Sequence, residues 1–432
     1  MSAHIAVVGA GWAGLAAAVH LTGQGQRVTL LEMAAQAGGR ARGVARDGAT
    51  FDNGQHILIG AYDETLALMR CVGADPDLLL HRQPLTLVRP GTQGLRLPPG
   101  PALPAFVRAV LANRDWTLSE RLALLRTAAA WAVRRFRCDP GLTVQALCVG
   151  LPARLRDDLI DPLCVAALNT PAAEASASVL LRVLRDALFS GPGAADLLLP
   201  RVTLDHLLPR PALAWLATRG AELRLGQRVQ TVQRLRSRMP GWQIDGETFD
   251  AAVLACPAAE AARLAADIDA DWAGCAAALR YEPIVTVFVD TDGARLAQPM
   301  MALHADVEHF PAQFVFDLGA LGGPSGRLAF VVSGAAPWVA RGRDAILGAL
   351  RTQAAGAWPT ADWTQSWQLR HLWIEKRATF RCTPGLHRPR PVIAERLLAA
   401  GDHVDGPYPA TLEGAVRSGT NAARHLLTSF RA

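Results

Sequence analysis

Lysine is almost missing from this chain: of 44 basic residues only Lys376 is a lysine, and the rest are arginine. Tyrosine occurs three times in 432 residues, too few for a clear aromatic cage around an amine. The seven cysteines are odd in number and form no C-x-x-C pair, which argues against a disulfide framework or a zinc site and fits a reducing compartment. Long apolar runs are lacking too, because Arg, Gly or Pro interrupts each before the roughly 18 to 20 residues that span a bilayer. The residues after Met1 lack the charged start, apolar stretch and cleavage pattern of a signal peptide. A cytoplasmic chain without a transmembrane helix is therefore expected. Its net charge of +6 comes without an arginine run interleaved with aromatics, so nucleic acid is excluded in favour of an anionic membrane surface.

What is present is material for a core. Half the residues are hydrophobic and only 19% are charged, so ordered burial is expected throughout. His4 to Val8 is a short apolar run, Trp12 to Thr22 carries Ala and Leu at helical spacing, and Gln26 to Glu32 is a second apolar run. Strand, glycine turn, helix and strand make a βαβ unit, the building block of a parallel sheet in an α/β fold. Within it Gly9, Gly11 and Gly14 form G-x-G-x-x-G, and Glu32 closes the second strand. The glycines allow a tight turn and close backbone approach, the helix N-terminus faces a pyrophosphate, and the carboxylate accepts from a ribose hydroxyl. This unit alone does not separate NAD from FAD.

Leu78 to Ala105 is rich in proline and glycine and reads as strands and loops leaving the first domain. An amphipathic stretch follows, opened by Thr117 and Glu120 at capping-box spacing and continuing through Leu122, Leu125, Ala129, Ala132, Val133 and Phe136. Its other face carries Arg121, Arg134, Arg135 and Arg137, so it reads either as a core helix or as a surface element that a lipid passes. Ala212 to Leu254 returns to the first style, with a helix ending near Gly220 and short strands at 221–225, 229–235, 242–244 and 252–254. Further strands are expected at Ile284 to Val289, Leu328 to Val332 and Leu397 to Ala400, with a last helix from Thr411. Residues 1–75, 200–280 and 392–432 are expected to assemble the cofactor domain, and 76–199 with 281–391 a substrate and membrane-associated domain.

Gly38, Gly39, Arg40 and Arg42 continue from Glu32 as G-G-R-x-R, and LLAAGDHVDGPYPATLEGAVRSG runs from Leu397 to Gly419. Together they resemble the amine oxidase and carotenoid desaturase superfamily of flavoproteins. FDNGQHILIGAYDETLALMRCVGA at Phe51 to Ala74, LNTPAAEASA at Leu168 to Ala177 and EKRATF at Glu375 to Phe380 narrow the likeness. These segments are similar to plant-type phytoene and zeta-carotene desaturases, and resemble most closely the squalene-associated hydroxysqualene dehydroxylases of hopanoid synthesis. That resemblance implies an FAD-binding Rossmann-like domain of glutathione reductase type with an interleaved α+β substrate domain, amine oxidase-like overall. It implies FAD contacts from Gly9, Gly11, Ala13, Gly14, Glu32, Gly39, Arg40, Gly54, Gln55, His56, Val229, Asp402, Thr411, Leu412 and Glu413. It also implies an isoprenoid lipid substrate, a place on the cytoplasmic face of the inner membrane, and upstream squalene-pathway synthases as partners.

The implied reaction is reductive removal of the hydroxyl of hydroxysqualene by reduced FAD. An allylic hydroxyl leaves once protonated, and its cation needs a hydride in a cavity without water. His56 is the candidate acid, since histidine titrates near neutrality. Lys376, beside Arg377, is the second catalytic candidate through contact with flavin or leaving oxygen, and Asp52 is expected to organise the turn at Gly54. Two alternatives stay open: a carotenoid desaturase passing electrons to a quinone, and a lipid escort of the same fold without redox chemistry.

Overall fold

The computed structural model describes residues 2–46, 48–235, 240–362 and 365–430. Its central sheet has six strands in the order Glu222–Leu225, Arg27–Glu32, His4–Val8, Ala251–Leu254, Leu397–Ala399 and Val392–Ala394. All neighbours are parallel except the last pair. Parallel strands covered on both faces need apolar side chains on both, which explains the unbroken run Ile5-Ala6-Val7-Val8. Alternation then divides it: Ile5 and Val7 meet the helix Trp12–Gly23 and the closing helix Leu412–Ser429. Ala6 and Val8 face Trp242, Phe249 and Trp272 on the opposite side. The two helices touch closely, because a Cβ on Gly419 would lie 2.0 Å from the Ala13 carbonyl oxygen.

A second sheet is antiparallel, in the order Met300–Ala302, Phe314–Asp317, Arg327–Val332, Tyr281–Asp290 and Gln368–Phe380. Val285, Val287 and Val289 point to the helix Arg343–Ala357, whereas Phe288, Phe314 and Phe316 point to the helical segment between residues 102 and 189. Pro283 has no N–H to give the ladder, and the strand Gln368–Phe380 bulges opposite it: Glu282 pairs with Thr379, but Ile284 with Glu375. A small sheet, with Leu197–Pro200 between Leu58–Ile59 and Leu80–Gln83, lies where the chain leaves and re-enters the first sheet.

Local differences from the expected elements have physical causes. The stretch from Leu78 to Ala105 already contains the start of a helix, Ala102–Ala112. The capping box of Thr117 and Glu120 is formed, but the helix Leu118–Val133 stops short of Phe136. Arg135 and Phe136 take φ of +52° and +55°, turning the Phe136 ring onto Phe189 at 5.4 Å. The strand expected over 229–235 is shortened to Val232–Arg234.

Candidate active site

One cavity of about 680 Å³ begins at the C-terminal ends of the strands His4–Val8 and Arg27–Glu32 and just beyond Ala251–Leu254, where Val8, Glu32 and Ala255 line it. In an open parallel sheet this is where ligands collect. Gly9 turns there with φ +109°, and a Cβ on it would strike the Ala255 carbonyl oxygen at 2.6 Å. Gly11, the N-cap of the helix Trp12–Gly23, supplies no side-chain cap, so the first amides of that helix are left for a ligand facing the cavity. Glu32 is held by two amides, its Oε2 accepting from Ala10 at 2.7 Å and its Oε1 from Ala34 at 2.8 Å. Each oxygen retains a lone pair for a hydroxyl.

The far end of the chain closes the same space. Arg40 donates through Nη2 to Asp402 Oδ1 at 2.5 Å and through Nη1 to the Ala378 carbonyl at 2.8 Å. Burial would push the Asp402 carboxyl up, but the Arg40 guanidinium and His403 hold it far below the carboxylate range. His403, 3% exposed, also lines the cavity, and its Nε2 is buried without a hydrogen-bond partner. Thr411 caps the closing helix by accepting from the Gly414 amide at 3.0 Å. Ala13, Gly39, Gly54, Gln55, His56, Val229, Thr411 and Leu412 all line the cavity too.

Four expected positions come out differently. Lys376 is exposed and outside the cavity, because the bulge opposite Pro283 turns Glu375, Ala378 and Thr379 inward instead. Glu413 is fully buried but spent on the helix Asp63–Cys71, accepting from the Thr65 amide at 2.9 Å and hydroxyl at 2.6 Å. Gly14 acts through packing, since a Cβ there would sit 1.8 Å from the Gly9 carbonyl oxygen. Asp52 accepts from the Leu204 amide at 2.8 Å and so anchors that segment rather than the turn at Gly54.

His56 does reach the cavity, with Nδ1 2.7 Å from the Gly54 carbonyl oxygen. A carbonyl only accepts, so Nδ1 carries the proton and Nε2 is left as an acceptor. Burial lowers its pKa, the bond to Gly54 partly opposes this, and Arg40 lowers it further. Burial and Arg40 both disfavour the doubly protonated ring that an acid role needs.

Beyond His56 the lining becomes apolar. Leu85, Leu95, Phe106, Leu124, Trp131, Leu159, Leu184, Phe314 and Phe316 form a tunnel between the second sheet and the helical segment. The reaction implied by the resemblance called for a cavity without water, but its walls come from segments too distant in sequence for periodicity to join. Asp186, His403 and Tyr408 line the cavity as well and carried no separate signal in the sequence.

A glycine cradle on a parallel sheet, a ribose-directed carboxylate and an arginine clasp define a dinucleotide-dependent oxidoreductase. The chain matches the family described as flavin containing amine oxidoreductase over residues 12–427. It is 30% identical to hydroxysqualene dehydroxylase of Rhodopseudomonas palustris across all of both chains. It is 24% identical to 15-cis-phytoene desaturase of Glycine max, covering 98% of this chain and 79% of that one. An oxidoreductase structure from Methanosarcina mazei shares the fold with a TM-score of 0.75 at 15% identity, covering 98% of this chain and all of the other. The chain belongs to the hydroxysqualene dehydroxylase family within the flavin-containing amine oxidoreductases.

It is accordingly an FAD-dependent oxidoreductase, and the site fits that cofactor on its own evidence. The uncapped helix amides suit a pyrophosphate, Glu32 suits a ribose, and the unpartnered Nε2 of His403 suits a polar atom of the cofactor.

Proposed function

We infer that this enzyme reductively dehydroxylates hydroxysqualene to squalene. The observation that carries this is one continuous cavity, polar at the glycine cradle and apolar in its tunnel, in a chain matching hydroxysqualene dehydroxylase over its full length. FAD, when bound and reduced, supplies the hydride. The chain's own part is to hold the isoprenoid extended, exclude water around an allylic cation, and place the reacting carbon at the polar end. Arg40 and Asp402 tie the two motifs around the cofactor, and His56 offers its Nε2 as an acceptor. The desaturase alternative is not favoured, since phytoene desaturase matches at lower identity over less of its own length.

No helix among the described residues is long and apolar enough to cross a membrane. The tunnel's outer wall supports a peripheral approach instead. Phe106, Leu124, Trp131 and Leu188 face the tunnel, while Leu103, Leu111, Leu118, Val133 and Phe189 of the same helices are exposed. Exposed Arg108, Arg114, Arg134, Arg135 and Arg137 surround them, the pattern of an element lying on anionic headgroups. The isoprenoid enters from that side.

The test is to reduce the FAD-loaded enzyme anaerobically, add hydroxysqualene, and analyse the products. Squalene forming with reoxidation of the flavin is the expected result. Flavin that stays reduced while the alcohol remains intact rejects the assignment.

A further inference from the structure

The apolar tunnel contains a polar island to which the sequence reading gave no role. The helix Ala177–Phe189 turns Leu180, Val183, Leu184, Ala187 and Leu188 toward the cavity, a face spaced for burial. Asp186 lines the cavity among them. Tyr408, from the loop before the closing helix, lines it too, and Arg182, which donates to Asp186, lies over the Tyr408 ring and so brings the two groups to one place.

Both groups are held in place. Asp186 accepts from Arg182 Nε at 2.9 Å and Arg185 Nε at 3.3 Å. The guanidinium carbons of Arg182 and Arg417 lie 5.5 and 5.1 Å from the Tyr408 ring centroid. Arg417 is fixed by Glu413 at 2.6 Å, and the Tyr408 carbonyl accepts from Arg388 Nη1 at 2.9 Å. Asn169, which also lines the cavity, is consumed internally: its amide donates to the Glu282 carbonyl and Thr379 hydroxyl, and its oxygen accepts from the Gly334 amide. A pure hydrocarbon gains nothing from an acid and a phenol in its tunnel, because burying them costs solvation. An alcohol gains twice, since it both donates and accepts.

We propose that Asp186 and Tyr408 form the hydroxyl subsite of the tunnel, holding the alcohol of an otherwise apolar C30 isoprenoid. The Tyr408 hydroxyl donates to the alcohol oxygen, and an Asp186 oxygen accepts a hydrogen bond from the alcohol O–H, which keeps its proton. The pair sets which carbon along a nearly featureless chain stops at the polar end of the cavity, and the bond donated by Tyr408 polarises the C–O bond. The product hydrocarbon has no partner for the pair and is released. The subsite rests on the dehydroxylase reading above, but binding alone tests it.

The FAD-loaded enzyme is titrated in detergent with hydroxysqualene and, separately, with squalene, following the perturbation of the flavin visible spectrum. The native enzyme is expected to prefer the alcohol, and Tyr408→Phe to reduce that preference at least about 10-fold while retaining flavin and squalene affinity. Asp186→Asn keeps the shape but accepts the alcohol's hydrogen bond less strongly, and it carries the test if the tyrosine variant loses flavin. Equal native affinity for the two ligands, or an undiminished preference in a flavin-loaded variant, overturns the subsite. A native enzyme that prefers the alcohol but forms no squalene overturns the reaction and leaves the subsite standing.

Discussion

At the scale of single residues, the carboxylates of this protein divide by what surrounds them. Asp402, beside Arg40, is held ionised. Asp52 has only the Leu204 amide to oppose its burial, with Asp205 adding repulsion, and its pKa is pushed up to about 7. A carboxyl whose folded pKa lies above its unfolded value of 3.8 keeps its proton better in the fold. Stability from this group is therefore greatest in acid and falls as pH rises between about 4 and 7. Asp52→Asn keeps an acceptor for Leu204 without the charge. Its apparent Tm should match the native protein near pH 3.5 and exceed it increasingly up to pH 8, by on the order of 4 kcal/mol in stability. Equal pH profiles for the two proteins would contradict this account.

Among the elements, the βαβ unit was the easiest to read because its requirements are local: glycines at a turn, apolar strands, an acid at a strand end. Its tightest contact is Gly14, where a Cβ would have to displace the backbone of Gly9 and the side chain of Ala255, 3.1 Å away. Gly14→Ala should cost about 3 kcal/mol and much of the bound flavin. Gly274→Ala, in a helix position with nothing within 4 Å, is the control that should leave both nearly unchanged. A Gly14→Ala protein with native Tm and full flavin would refute the packing argument. Elements defined by distant pairing were not legible in the same way. The side on which Lys376 falls depends on a bulge opposite Pro283, and Glu413 is captured by Thr65, 348 positions away. Neither partner leaves a mark near the residue it governs.

For the whole molecule, the sequence led to an expectation of a cofactor domain assembled from three separated pieces, and the central sheet draws its six strands from segments far apart in the chain. It did not show the tunnel, whose walls combine the second sheet with helices between residues 102 and 189. The peripheral approach proposed above sets the outer side of those helices against lipid. Replacing Leu111, Leu118 and Val133 by serine should weaken sedimentation with anionic liposomes several-fold, and rising salt should weaken native binding. Unchanged sedimentation would leave the lipid without this door. Activity on detergent-solubilised substrate should survive the change, since those side chains face away from the tunnel.

The junction of Arg40 with Asp402, and of the first helix with the last, also sets an order in time. A nascent chain carries the glycine turn and Glu32 within its first few dozen residues. At roughly 5 to 20 residues per second, the partner segment emerges tens of seconds later. Until then the flavin cradle lacks its clasp and the Ala13 surface its cover. A chain truncated before residue 402 is therefore expected to purify without flavin, read from its visible spectrum, however intact its N-terminus.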